Sequence, residues 1–123
     1  MNEADQDAIM IAQELTSDDA KVRGEFMKLY ADQAKGFAKA MGIAFSNWRT
    51  LDAMVGDDEH RAYVIGLAYV AITLHIMSMK LLLSGQIVAA GNLYRQVVET
   101  MALALLCSAG KELPVLDAFI AGK

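Results

Sequence analysis

Five polar residues set in an otherwise apolar stretch are this chain's best material for chemistry. His75 and Ser78 stand three apart, while Asn92, Arg95 and Glu99 recur at spacings of three and four. At helical period each set shares one face of its helix. Glu99 or His75 would act as acid or base, and Arg95 would clamp an oxyanion or a phosphate. The same residues have a purely structural use. Arg95 and Glu99, at i and i+4, can pair along one helix, and a bundle often retains a few buried polar groups that fix register. Such a pair need not stabilise, because desolvation offsets most of the Coulomb gain. The structural or interface use leads, with a ligand-binding or catalytic use as its rival.

The elements that would bring these residues together are two helices of unusual greasiness. From Ala62 to Gly110 only Lys80, Arg95 and Glu99 carry charge. Asp58–Leu83 and Gln86–Ser108 read as long helices joined at Ser84 and Gly85, where glycine can take the left-handed conformation that ends a helix. A connection this short makes the pair antiparallel. Turning at Gly85 would set His75 level with Arg95, Ser78 level with Asn92, and Glu99 one turn beyond. The expectation is a buried polar cluster of all five. On the second helix Leu93, Val97, Thr100 and Ala104 track one side of the polar stripe, and Tyr94, Val98, Met101 and Leu105 track the other. Ala89, Ala90, Gly91, Ala102 and Ala104 permit close helix approach.

A span this apolar must be buried in protein, in a partner or in lipid. Ala62–Met79 is eighteen residues without formal charge, which meets the ~18-residue threshold for a membrane span. Against that reading, His75 lies inside the window, and Gly66, Thr73 and Ser78 dilute it. The returning helix carries Arg95 and Glu99 near its middle, where an ionisable group costs about 3 kcal/mol on insertion scales. The flanks lack aromatic belts and a one-sided excess of Lys or Arg. A hairpin buried in a soluble bundle is the better reading.

The N-terminal half is amphipathic. Asn2–Leu15 places Ala8, Ile11, Ala12 and Leu15 on one side, with acids at its start opposing the helix dipole. Thr16 with Asp19 reads as a capping box for a second helix, in which Val22, Phe26, Leu29, Gln33, Phe37 and Ala40 recur at three and four. Gly42 is its expected stop. Lys21, Lys28 and Lys35 lie every seven residues on the outer side, read as a solvated face with an anionic-ligand stripe as its rival. Ser46 is then expected to cap a short helix carrying Trp48, Leu51 and Val55, with Trp48 an anchor at the core edge. Asp57, Asp58 and Glu59 open the next helix.

Composition narrows the function classes. The chain has 123 residues, 55% of them hydrophobic, with a formal charge of −4. One domain is expected, with self-association as an outlet for extra apolar surface. The acidic balance argues against nucleic acid as the main partner, while leaving room for local basic stripes. Cys107, the single cysteine, cannot form an internal disulfide, and its apolar setting reads as a buried structural thiol. Together with an acidic N-terminus unlike a secretion signal, it points to the cytoplasm. The glycines are scattered singly, with no nucleotide-binding motif. His60 and His75 lie fifteen apart with no metal-ligand spacing between them, so neither metal nor cofactor is expected. Most of the eight methionines are read as core filling, with an adaptable apolar binding surface as the rival.

The run from Leu82, Leu83, Ser84 and Gly85 to Leu93, Arg95 and Glu99 resembles a pattern of bacterial all-helical proteins of poorly characterised role. There an L-L-x-S-G turn precedes an L-x-R-x-x-x-E helix. Some proteins of that look are similar to nucleotide-binding or RNA-cleaving bundles of bacterial defence systems. Those nucleases carry an Arg followed four to six residues later by His. This chain has no such pair, which argues against ribonuclease activity.

The overall expectation is an all-α bundle of four to six helices, built around a long antiparallel hairpin that the N-terminal half covers. Its function is read as a non-enzymatic binding or regulatory module that self-associates through apolar helix faces, most simply as a homodimer, with a protein partner as a further option. The rival is an enzyme or small-ligand binder using the His/Arg/Glu cluster. The apolar segment after Pro114 either docks on the bundle or marks the chain as the N-terminal part of a longer protein.

Overall fold

Local capping chemistry divides the chain much as its turn residues suggest. In a computed structural model that describes residues 1–108, five α-helices follow one another and no strand occurs among those residues. The protein is all-α. The first helix, α1 (Glu3–Leu15), opens with a capping box: the Asn2 side chain accepts from the Asp5 N–H, and Asp5 accepts from the Asn2 N–H. Two orphan donors are thereby satisfied reciprocally. The box expected at Thr16 and Asp19 is not formed. Thr16 instead turns its hydroxyl back onto the Ala12 and Gln13 carbonyls at the end of α1. The next helix, α2 (Ala20–Leu29), starts without a side-chain cap from Asp19.

Two boundaries between Tyr30 and Val55 differ from the sequence expectation. The helical ladder breaks at Tyr30, whose φ of −122° and ψ of 30° separate α2 from α3 (Ala31–Asp52). Helix α3 then runs through Gly42 and Ser46 to Asp52 as one element. Gly42 has no positive φ. With Ala40 and Met41 before it and Ala44 after it, and with α3 packed along α4, one glycine's cost of about 1 kcal/mol is overridden. The short Ser46-capped helix is therefore the last part of α3, and Trp48 lies on that helix as an anchor. Its indole N–H donates to the Ile65 carbonyl at 3.0 Å, and its ring lies 5.1 Å from that of Tyr69.

Asp58 caps α4 (Glu59–Leu83) through the Arg61 N–H, after Gly56 at φ 57° reverses the chain. Helix α4 ends in a complete Schellman motif. Gly85 sits at φ 82°; its N–H bonds the Leu82 carbonyl, and the Gln86 N–H bonds that of Leu81. Two orphan carbonyls are satisfied by a conformation that glycine takes without a Cβ penalty. Helix α5 (Ile87–Ser108) returns antiparallel along α4.

The hairpin seam is made of small residues. Ala71 and Ser78 on α4, with Ala90, Val97 and Cys107 on α5, are the buried residues of these two helices. The seven-residue spacing of Ala71 to Ser78, and of Ala90 to Val97, runs along one face of each helix. Small side chains there let the backbones approach closely.

The N-terminal half covers the hairpin only in part. Helix α3 packs along α4, and α2 touches α3 and α4 near the turn. Every residue of α1 is exposed. An amphipathic helix pointing its apolar side at solvent gains nothing from burial, so α1 contributes no cover. The α2 contact joins apolar packing, with Val22 and Phe26 beside Gly85 and Phe26 sharing a cleft with Met79, Leu82 and Leu83, to polar chemistry. Arg23 Nε donates to Ser84 Oγ at 3.1 Å, while the Ser84 hydroxyl donates to the Lys80 carbonyl at 2.8 Å. Gln86 donates to Asp19 at 3.2 Å.

Candidate functional site

The polar residues expected to converge are distributed to opposite sides of the hairpin. Ser78 is buried and donates to the Ala90 carbonyl across the seam at 2.9 Å. It therefore lies level with Ala90 rather than with Asn92. His75 is half-buried, with its ring 5.0 Å from Phe37 of α3 and 5.7 Å from Tyr94 of α5. Asn92, Arg95 and Glu99 face solvent. Arg95 and Glu99 pair with each other at 3.6 Å, with side chains 73% and 66% exposed.

The buried five-residue cluster is thus not formed. The reason is angular: Ala90 and Val97 point α5 at α4, which carries Arg95 and Glu99 roughly 140–180° around the helix. A stripe of charge is cheapest in water, and the small-residue seam leaves it there. His75 keeps aromatic neighbours, not an acid or a guanidinium. Among the described residues no acid, base or guanidinium partner stands beside it.

The face that the structure builds around His75 is a groove. Helix α4 forms its floor with Ala68, Ala71 and Ile72, α3 contributes Met41 and Ala44, and α5 contributes the opposite wall. That wall is the series Tyr94, Val98, Met101 and Leu105. The groove measures about 490 Å³, and among the described residues no Asp, Glu, Lys or Arg lines it, His75 and the Tyr94 hydroxyl being the titratable groups there. Such a lining binds apolar matter and orients it weakly.

The sequence held the signal for one wall, since the Tyr94-to-Leu105 series is legible at a spacing of four, three and four. Phe37 was legible as part of an apolar helix face, but nothing local named His75 as its partner, and Ala44 lay beyond the helix end expected at Gly42. A second apolar face, Tyr63, Gly66, Leu67 and Val70, lies on the far side of α4 from this groove. Near the start of α4, His60 has a buried Nδ1 without a hydrogen-bond partner among the described residues, beside Val55 and Val64.

No group of three metal-ligating side chains occurs among the described residues. Among them, Glu59–Leu83 is the one helix long and apolar enough to cross a membrane, by length and composition. The segment after Pro114 lies outside the described residues. Comparison with protein-family models, curated proteins and solved structures finds no match to this chain.

Proposed function

We propose that this chain is a helical interaction module that works by self-association, burying apolar helix faces against another copy, without catalysing a reaction. The observation that carries this reading is the mismatch between apolar surface and cover. Helix α4 is apolar around its whole circumference, yet only Ala71 and Ser78 along it are buried. Tyr63, Val70, Met77, Tyr94, Val98 and Leu105 are all exposed. Continuous apolar faces of this kind mark interaction surfaces, and a symmetric homodimer is the simplest assembly that buries them. The buried free thiol of Cys107 supports a reducing, cytoplasmic setting.

Sedimentation equilibrium of the chain in detergent-free buffer, over a range of concentrations, tests this reading. A reversible dimer is expected. A monodisperse monomer throughout would overturn it, and so would a chain that stays in solution only with detergent, since lipid would then be the cover.

The rival, small-ligand binding, keeps one supporting feature, the His75 edge of the groove between Phe37 and Tyr94. Arg95 and Glu99 have no part in it. A small molecule co-purifying in stoichiometric amount, and lost in His75→Ala, would favour that reading over self-association.

A further inference from the structure

We infer that the groove between α3 and α5 is the self-association interface, and that its occupant is the α5 ridge of a second copy, packed antiparallel about a two-fold axis. This inference rests on the self-association reading and adds which face meets which.

Three observations single out this face. The first is shape. Helices α3, α4 and α5 form a trough whose floor and flanks carry Ala44, Ala68, Ala71 and Ala104. Small residues there admit a fourth helix at close range, completing a four-helix arrangement.

The second is symmetry. Tyr94, Val98, Met101 and Leu105 are spaced four, three and four, a pattern unchanged when the helix is reversed. A two-fold contact must place the same patch on both copies. With the axis between Val98 and Met101, Tyr94 meets Leu105 of the other copy and Val98 meets Met101. Ridge and groove share these residues, so one packing fills both.

The third is area. The ridge side chains are 52%, 50%, 50% and 70% exposed in chain order. Their free apolar surface is roughly 400 Å² per copy. Counted for two copies with the trough floor and the α3 flank, this approaches the ~1,200 Å² at which specific interfaces begin. Charge agrees with the assignment. Among the described residues no Asp, Glu, Lys or Arg lines the groove, and the exposed Arg95–Glu99 pair sits beside the ridge, as a polar rim does.

The test uses the full chain in detergent-free buffer. Val98→Lys is expected to weaken the dimer about 100-fold or more, by leaving an unpaired charge in the centre of the contact. Val70→Lys, on the far side of α4, is expected to leave the dimer unchanged. Far-ultraviolet circular dichroism establishes that each variant retains its helix content.

A cross-link provides a second, independent measure. Val98→Cys copies mixed with Met101→Cys copies should join through a short bis-maleimide, with the buried Cys107 unreactive. A wild-type chain that is dimeric, with Val98→Lys still dimeric or no mixed cross-link, would overturn this interface while leaving self-association standing. Loss of the dimer in Val70→Lys alone would move the contact to the Tyr63–Val70 face and overturn it too. A wild-type monomer would remove both readings together.

Discussion

The Ser78 hydroxyl reaches across the hairpin to the Ala90 carbonyl oxygen, at 2.9 Å, in a buried position. This bond marks the register of α4 against α5 that the packed seam of Ala71, Ser78, Ala90 and Val97 selects. With Ser78 facing Ala90, His75 meets Tyr94, and Arg95 and Glu99 are turned out to water.

Ser78→Ala removes that bond without opening a sizeable cavity. The cost should be about 1 kcal/mol, the net worth of an intramolecular hydrogen bond. Urea unfolding at fixed protein concentration should show a lower midpoint with an unchanged slope. Ser78→Leu should cost more, about 1–3 kcal/mol, because the close seam has no room for the added carbons.

Gly85 and Gly36 make a pair of opposite sign. Gly85→Ala must hold alanine at a φ of 82°, costing about 1–2 kcal/mol of backbone strain. Its Cβ would stand 3.5 Å from Val22 Cγ1, an ordinary contact, so the backbone alone sets the penalty. Gly36 lies inside α3 with open space around it. Gly36→Ala should therefore stabilise by about 0.5–1 kcal/mol. Thermal melts of the two variants would move in opposite directions.

The charge pair on α5 should matter little for folding. Arg95→Ala and Glu99→Ala are each expected to change stability by less than about 0.5 kcal/mol, the range of exposed i,i+4 pairs. Denaturant midpoints of the single and double variants would check this. A loss of several kcal/mol would require the pair to be buried, against its exposure here.

Helix α1 should behave as an appendage. A helix of 13 residues with no buried side chain is marginal by itself in water. Hydrogen exchange should find its amides far less protected than those of the α4–α5 seam. Deleting residues 1–15 should leave the melting temperature of the remainder unchanged.

How much of this was legible beforehand depends on the element. The hairpin was, because Gly85, the apolar run and the acids at Asp57–Glu59 are strong local signals that agree with one another. Helix α4 spans Glu59–Leu83 and α5 spans Ile87–Ser108, within a residue of the ends read from those signals. Around Gly42 local signals misled, because a single glycine is a weak stop when the residues on both sides favour helix and pack on α4. The break at Tyr30 has no proline or glycine to announce it. It occurs where α2 turns toward Ser84 and α3 follows α4, a division of contacts that no local pattern encodes.

By itself the sequence determined that the chain is helical, that its long hairpin turns at Gly85, and that its apolar surface exceeds what polar faces can screen. Those properties follow from periodicity, capping and composition, which act over a few residues. Only the tertiary structure decided which way each face of the hairpin points. A rotation of α5 by a quarter turn would change no local propensity, yet it would swap Tyr94 for Arg95 beside His75. The close packing of Ala71, Ser78, Ala90 and Val97 selected one rotation. That choice sent the ion pair to solvent and left an apolar groove where a polar cluster was expected.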